Sequence, residues 1–354
     1  MKTILFAGGG TLGPVTPLLA VARRMKKMDS SVDFAWAGTQ EGPEREVVER
    51  ERIPFSAIPT AKLPRYFSFE IFSWPSRYFA ARRAAGELLD RVKPSLVVGA
   101  GGFTQVPVII EAAKRKIPCA IHQLDAEPGL SNRAIAKKCV SVTTSFAYEQ
   151  SPFGSKKTER TATPCRFAGV RMPDRHAGAE RFFLDPNKQT VFAFGGGTGS
   201  IAINDALRQM KSRLLPNIQI IHQTGKGKRL HDAPERGYAV SELFDEQDML
   251  FAYAAADVVV CRAGLGTFSD LATFQKAAIS TPIPGSQMEQ NIAALKEGIF
   301  PLTQSDHFVD DLYAAIMQLL GDENRRVFLG KTLHALLPTD DGSALAEKWL
   351  SLLK

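Results

Sequence analysis

One local recipe is written twice in this chain. TILFAGGGTLGPVTPLLAVARRMKK, from Thr3, is a short apolar run, a glycine cluster, and then apolar residues at helical spacing (Leu18, Leu19, Val21, Ala22, Met25). TVFAFGGGTGSIAINDALRQMKSRL, from Thr190, repeats it with Ile201, Ile203, Leu207 and Met210 as the periodic residues. Each copy reads as strand, loop and helix, and the second begins about half-way along the 354 residues.

Further apolar runs follow each copy. VDFAWAG (32–38), SLVVGAGG (95–102), IPCAIHQ (117–123) and VSVTTS (140–145) read as buried parallel strands, with helical stretches at 44–52, 76–92, 105–115 and 130–138. After Thr190 the series resumes with IQIIHQTG (218–225), ADVVVCRAG (256–264) and AAISTPIPG (277–285). This alternation predicts an α/β chain of two tandem Rossmann-like, doubly wound domains. Proline-containing TERTATPCRFAGVRMP (158–173) is the expected hinge, which sets domains at 1–163 and 164–338. Residues 339–354 are expected to form a helix that crosses back, with Leu345, Trp349, Leu350 and Leu353 on one face. Ligands of such sheets sit beyond the strands' carboxyl ends, so the loops at 8–14, 99–105, 122–129, 195–200 and 262–267 are expected to face one cleft.

Composition narrows the setting. Forty-four Lys and Arg against 37 Asp and Glu give a net +7, which favours phosphorylated ligands or anionic surfaces. Cys119, Cys139, Cys165 and Cys261 follow no metal-ligand spacing and fit a reducing compartment. Residues 3–7 are too short for a signal-peptide core and no apolar run is of bilayer length, so a protein neither secreted nor membrane-spanning is expected.

Gly8, Gly10 and Gly13 satisfy GxGxxG, yet the second strand ends Ala37-Gly38-Thr39-Gln40, without the acid that would hold a nicotinamide ribose. What remains is a loop whose backbone N–H groups, at a helix N-terminus, suit a phosphate. CRAGLGTFSDL (261–271) is more specific: Gly264, Gly266 and Thr267 offer donors to a diphosphate, and Asp270 is placed to accept from vicinal ribose hydroxyls.

Together, GGGTLGPVTP, GTQEGPEREVV (38–48), VVGAGGF (97–103), HQLDAEPGLSNR (122–133), FGGGTGSIAIN (194–204), IIHQTGKG (220–227) and ADVVVCRAGLGTFSDL (256–271) resemble, in order, the motifs of the peptidoglycan N-acetylglucosaminyltransferases of the GT-B class. The resemblance implies an inverting transfer of N-acetylglucosamine from UDP-N-acetylglucosamine to the muramoyl C4 hydroxyl of lipid I, giving lipid II and UDP. It implies a peripheral protein on the cytoplasmic face of the membrane, no cofactor and no nucleic-acid partner. By position, Gly10, Thr11, Leu12 and Gly13, with Gly101 and Gly102, match the acceptor-phosphate loops. Arg166, Gly197, Thr198, Phe244, Gly264, Leu265, Gly266, Thr267, Phe268, Ser269 and Asp270 match the donor site, with the family's paired glutamine falling on Gln287 or Gln290.

Three departures bear on mechanism. Pro14 stands where the family carries the histidine usually assigned as base, Gln123 replaces a glutamate, and Asp125 replaces an amide. Asp125 and His122 are therefore the catalytic candidates, Asp125 alternatively capping the helix at 130–138 and His122 alternatively a core residue. No Asp-x-Asp occurs, so no divalent metal is required. KLPRYFSFEIFSWPSRYFAARR (62–83) interleaves aromatic and basic residues, and Phe67, Phe69, Phe72 and Trp74 are expected to meet an anionic bilayer. Two alternatives stand beside this reading: a related transferase acting on another lipid such as diacylglycerol, and a non-catalytic nucleotide-sugar or lipid-binding protein.

Overall fold

A computed structural model describes residues 2–59, 70–228 and 235–353, with side chains of the helix opening at Glu70 described from residue 73 onward. The chain divides into two compact units, Met1–Arg166 with Asp340–Lys354, and Phe167–Thr339.

The first unit holds strands β1 Lys2–Ala7, β2 Val32–Gly38, β3 Phe55–Ala57, β4 Leu96–Gly99, β5 Cys119–Gln123, β6 Ser141–Thr144 and β7 Glu159–Arg160. They form one sheet in the order β3-β2-β1-β4-β5-β6-β7, all parallel, with Phe6 beside Trp36 and Leu5 beside Val97. Helices α1 Val15–Met28, α2 Glu44–Arg50, α3 Glu70–Val92, α4 Gln105–Lys114 and α5 Leu130–Ile135 connect them. Ile4–Ala7 and Leu96–Val98 are wholly buried, which is why those strands are continuous apolar runs rather than alternating ones.

The second unit repeats the topology. After α6 (Arg175–Arg181), which follows the short β8 (Thr163–Pro164) of the first unit, strands β9 Thr190–Phe194, β10 Gln219–Gln223, β11 Tyr238–Ser241, β12 Val258–Cys261, β13 Ala278–Ser280 and β14 Phe300–Pro301 run β11-β10-β9-β12-β13-β14, again parallel. Its helices are α7 Ile201–Leu214, α8 Glu246–Ala255, α9 Leu265–Phe274, α10 Met288–Leu295, α11 Phe308–Gly321 and α12 Glu323–Leu336. In both sheets the order reverses between the first and fourth strands of the unit, and at that switch point two loops can part to admit a ligand.

The last helix, α13 Ser343–Ser351, belongs to the first unit and lies on α1. Gly342, at φ +88°, makes this possible, because a Cβ there would sit 2.8 Å from Val21 Cα. Leu345, Ala346 and Trp349 are buried against it, and Lys348 is ion-paired with Glu159.

Candidate active site

In the first unit the switch-point loops are 8–14, after β1, and 100–104, after β4. They touch backbone to backbone: a Cβ on Gly102 would lie 2.7 Å from the Gly9 carbonyl oxygen, and one on Gly8 3.2 Å from that of Gly101. Gly10 turns the chain at φ +86°, and Pro14 enters α1 at φ −78°, near the value its ring imposes. Thr11 and Gly13 are exposed; the Leu12 carbonyl accepts from the N–H groups of Val15 and Thr16. The N–H groups of Thr11, Leu12 and Gly13 have no partner among the described residues, leaving a donor cluster at the N-terminus of a 14-residue helix.

One N–H expected to serve a phosphate is already in use. Gly10 donates to Glu44 Oε2 at 3.2 Å, while Glu44 Oε1 accepts from Thr39 N at 2.6 Å and from the Thr39 hydroxyl. Glu44 is 0% exposed. Sequence reasoning passed over it, although an acid placed just after Gly38 and Gly42 was the available signal. From the other side, the Trp36 indole N–H donates to the Gly8 carbonyl at 2.9 Å.

Behind the second loop a directed chain of buried amides runs through the unit. Gly101 N–H donates to Gln105 Oε1, Gln105 Nε2 to Asn132 Oδ1, Asn132 Nδ2 to Gln123 Oε1, and Gln123 Nε2 to the Asp125 carbonyl oxygen at 2.8 Å. The Tyr148 hydroxyl donates to the Ala126 carbonyl at 2.9 Å, holding the same turn. Asp125 is thus half-buried on a turn tied by side chains from β5, α5 and the segment after β6. Gln123 suits this chain because each link needs one donor and one acceptor, which an amide has and a carboxylate lacks.

His122 does not share that exposure. Its Nδ1 pairs with Thr143 Oγ1 at 3.0 Å and its Nε2 with Ser145 Oγ at 3.1 Å, and burial lowers its pKa to about 3. A ring with both nitrogens engaged inside a sheet cannot collect a substrate proton, so His122 is corrected to a core residue. His222 on β10 is its counterpart, bonded to Tyr238 and Asn204 and lowered by burial to about 4.

In the second unit the switch-point loops are 195–200 and 262–264, and Arg262 joins them. Its Nη2 donates at 2.8 Å to Ser200 Oγ, which itself accepts from Ile203 N and so caps α7. Arg262 Nε and Nη1 are buried without a hydrogen-bond partner, a cation with two unused donors at the head of the expected nucleotide loop. The quoted CRAGLG segment contained this arginine, but nothing in its spacing distinguished it from a surface cation.

Around Arg262, the α9 entry is half-exposed at Gly264, Gly266 and Thr267, whereas Leu265 and Phe268 are buried. The Ser269 hydroxyl donates to the Gly266 carbonyl at 2.8 Å rather than facing outward. Asp270 is 3% exposed and accepts from the Tyr253 hydroxyl at 3.3 Å, and the Tyr253 ring packs among Phe167, Phe192, Phe194 and Phe274. Its carboxylate is thus largely enclosed, with the Tyr253 phenol as one partner.

The glycine loop 195–199 is held by its carbonyls: Gly196 accepts from Gln223 Nε2, Gly197 from Lys226 N, and Thr198 from Lys228 Nζ at 2.6 Å. Gly197 is half-exposed and Thr198 exposed. Phe244 packs on Phe182 and Phe192, and its N–H donates to Gln223 Oε1. Gln287 begins α10 and is half-buried, while Gln290 is exposed; neighbouring Asn291 is buried and donates to the Ala263 carbonyl at 3.0 Å, anchoring α10 beside the loop. Arg166 is half-buried at the end of the first unit.

Of the expected membrane-facing residues, Phe67 and Phe69 lie outside the described residues, as does the Phe72 side chain. Trp74 is half-buried and stacks on Tyr78 at 5.0 Å, and Phe79 is 65% exposed on the same helix. Among the described residues no helix is long and apolar enough to cross a membrane.

Comparison with known proteins bears on both units. The model of the glycosyltransferase family 28 N-terminal domain matches residues 4–144, and that of the family's C-terminal domain matches residues 190–312. A UDP-N-acetylglucosamine–N-acetylmuramyl-(pentapeptide) pyrophosphoryl-undecaprenol N-acetylglucosamine transferase from a Nocardioides species is 33% identical, over 99% of this chain and 98% of its own. The protein of the same name from Bacillus pumilus is 32% identical over 91% of each. Among solved structures, Acinetobacter baumannii MurG superposes with a TM-score of 0.72 at 21% identity, covering 99% of this chain and all of its own. The Streptomyces glycosyltransferase SsfS6, complexed with thymidine diphosphate, reaches 0.69 at 15% identity, covering 99% of this chain and 100% of its own.

Proposed function

This chain belongs to glycosyltransferase family 28, and we propose from that premise a working assignment of each part of the reaction to its residues. The protein is an N-acetylglucosaminyltransferase that moves the sugar from UDP-N-acetylglucosamine to lipid I, making lipid II for peptidoglycan. The observation that carries this reading is the end-to-end match with transferases of that name.

On this reading the second unit binds the donor. Its diphosphate lies against the half-exposed N-terminal turn of α9 at Gly264, Gly266 and Thr267, beside Gly197 and Thr198, with the unused donors of Arg262 turned to its oxygens. Gln287 and Gln290 lie at the start of the helix that Asn291 anchors beside Ala263. Charge that gathers on departing UDP meets donors already in place, so little reorganisation accompanies bond breaking. The first unit binds the lipid-linked diphosphate at Thr11, Leu12 and Gly13, next to Gly101 and Gly102.

The acceptor C4 hydroxyl attacks the sugar's C1, its proton passes to a base, and the C1–oxygen bond to UDP breaks with its electrons going to the leaving group. With Pro14 carrying no titratable atom and His122 enclosed, Asp125 is the proposed base, held by the amide chain of Gln105, Asn132 and Gln123. Partly exposed Trp74 and exposed Phe79, with the basic residues around them, are proposed to rest on an anionic membrane at its cytoplasmic face, where the polyprenyl chain of the acceptor lies.

Release of UDP from UDP-N-acetylglucosamine with a soluble lipid I analogue tests the assignment, with UDP-glucose as donor control and diacylglycerol as acceptor control. Turnover with lipid I analogue alone supports it, and turnover with diacylglycerol alone overturns it. Asp125→Asn should lower kcat by about a hundredfold or more, the usual weight of a general base; full turnover would remove Asp125 from the role.

A further inference from the structure

Glu44 is given no task by the reaction assigned above, yet among the described residues it is a wholly enclosed carboxylate beside the acceptor loop. Three donors converge on it: two backbone N–H groups, of Gly10 and Thr39, and the Thr39 hydroxyl. A carboxyl side chain offers acceptor oxygens to both backbone N–H groups at once, which suits the residue type to its surroundings. Three glycines leave it room. A Cβ on Gly9 would lie 2.1 Å from Glu44 Oε1, one on Gly42 1.9 Å from Oε2, and one on Gly38 3.1 Å from Oε1. A side chain at the middle glycine of GGG would therefore press on this buried acid, and Glu44 would have to shift to admit it.

The consequence falls on the loop. Glu44 holds the Gly10 peptide inward at the turn where φ is +86°, directly before the three residues whose N–H groups have no partner among the described residues. We infer that Glu44 is a positioning residue for the acceptor-diphosphate loop, presetting Thr11, Leu12 and Gly13 to meet a polyprenyl diphosphate. This rests on the assignment of that loop to the acceptor.

Glu44→Gln is the diagnostic change, nearly isosteric but placing an NH2 group against a donor. If the amide oxygen stays with Thr39, Gly10 N–H loses its acceptor and the turn is released. A reporter is built in, since the Trp36 indole N–H is bonded to the Gly8 carbonyl in the same loop. The expected result is a rise of about ten- to a hundredfold in the acceptor KM, with the donor KM unchanged. The Trp36 indole NMR resonance should move, and Thr39→Val, which removes one donor and keeps the acid, should have a smaller effect of the same kind. Donor and acceptor KM rising together, or an acceptor KM within twofold of wild type, would overturn the inference.

Binding separates this test from the functional assignment. With UDP saturating, farnesyl diphosphate titrated into the wild-type protein should shift the Trp36 resonance, and Glu44→Gln should weaken that response about tenfold or more. Absence of transfer by wild-type protein alongside that response would sink the assigned reaction and leave the loop inference standing. Equal responses in both proteins, or none in the wild type, would sink the inference. Should Glu44→Gln fail to fold, Thr39→Val carries the same comparison.

Discussion

Arg262→Met should separate ligand binding from folding, because the guanidinium is poorly served by the protein alone. One nitrogen reaches Ser200, the other two are buried without partners, and burial lowers the pKa of the group. Each buried donor left unsatisfied costs about 1–3 kcal/mol, while the Ser200 bond returns about 1. Methionine fills similar space with no polar atom, so the substituted protein should be as stable as the wild type or slightly more so. For a domain of this size, 1 kcal/mol moves the melting temperature by about 2–4 °C. UDP should respond in the opposite direction. A charge-assisted hydrogen bond to a diphosphate oxygen contributes about 1.5–3 kcal/mol, so its loss weakens UDP about ten- to a hundredfold. Calorimetry supplies both numbers, by titration with UDP and by thermal scans without it. A melting temperature that falls by several degrees while the UDP Kd stays fixed would make Arg262 a cap for α7 and refute its role at the diphosphate.

Other outcomes follow from single contacts. Gly199→Ala puts a Cβ 1.9 Å from the Thr224 carbonyl at φ +69°, and should destabilise the second unit by about 2–4 kcal/mol in urea unfolding; less than 1 would contradict the packing. His122 and His222 have folded pKa values depressed to about 3 and about 4, so their stabilising effect is complete above the unfolded value near 6.5 and is lost as pH falls below it. Each should contribute a slope of about 1.4 kcal/mol per pH unit between pH 6 and its folded pKa, and His222→Gln should remove its share of the acid sensitivity measured by denaturant titration. Trp74→Ser with Phe79→Ser should reduce binding to phosphatidylglycerol vesicles about tenfold by sedimentation, given the aromatic area withdrawn from the membrane; unchanged binding would place the contact elsewhere.

Sequence alone determined the central architecture: two parallel α/β units, each opening with strand, glycine loop and helix. Buried strands such as LVVG and VVVC are apolar throughout, and helices such as α7 repeat their apolar residues every three or four positions, so each element carries its own signature. The edge strands β3, β7, β11 and β14 carried none, being only two to four residues long; their pairing partners supply what their sequences lack. The same division runs through the site. The glycine loops were legible, since a reversal at positive φ or a close backbone approach demands glycine locally. Whether a polar side chain near them faces solvent or the interior was decided only by tertiary structure. Glu44 is enclosed by donors from Gly10 and Thr39, His122 by hydroxyls from β6 and the residue after it, and Asp270 by a phenol 17 positions earlier. A carboxylate or imidazole exposes its chemistry only where its hydrogen bonds are unmet, and the groups that meet them come from other elements of the fold.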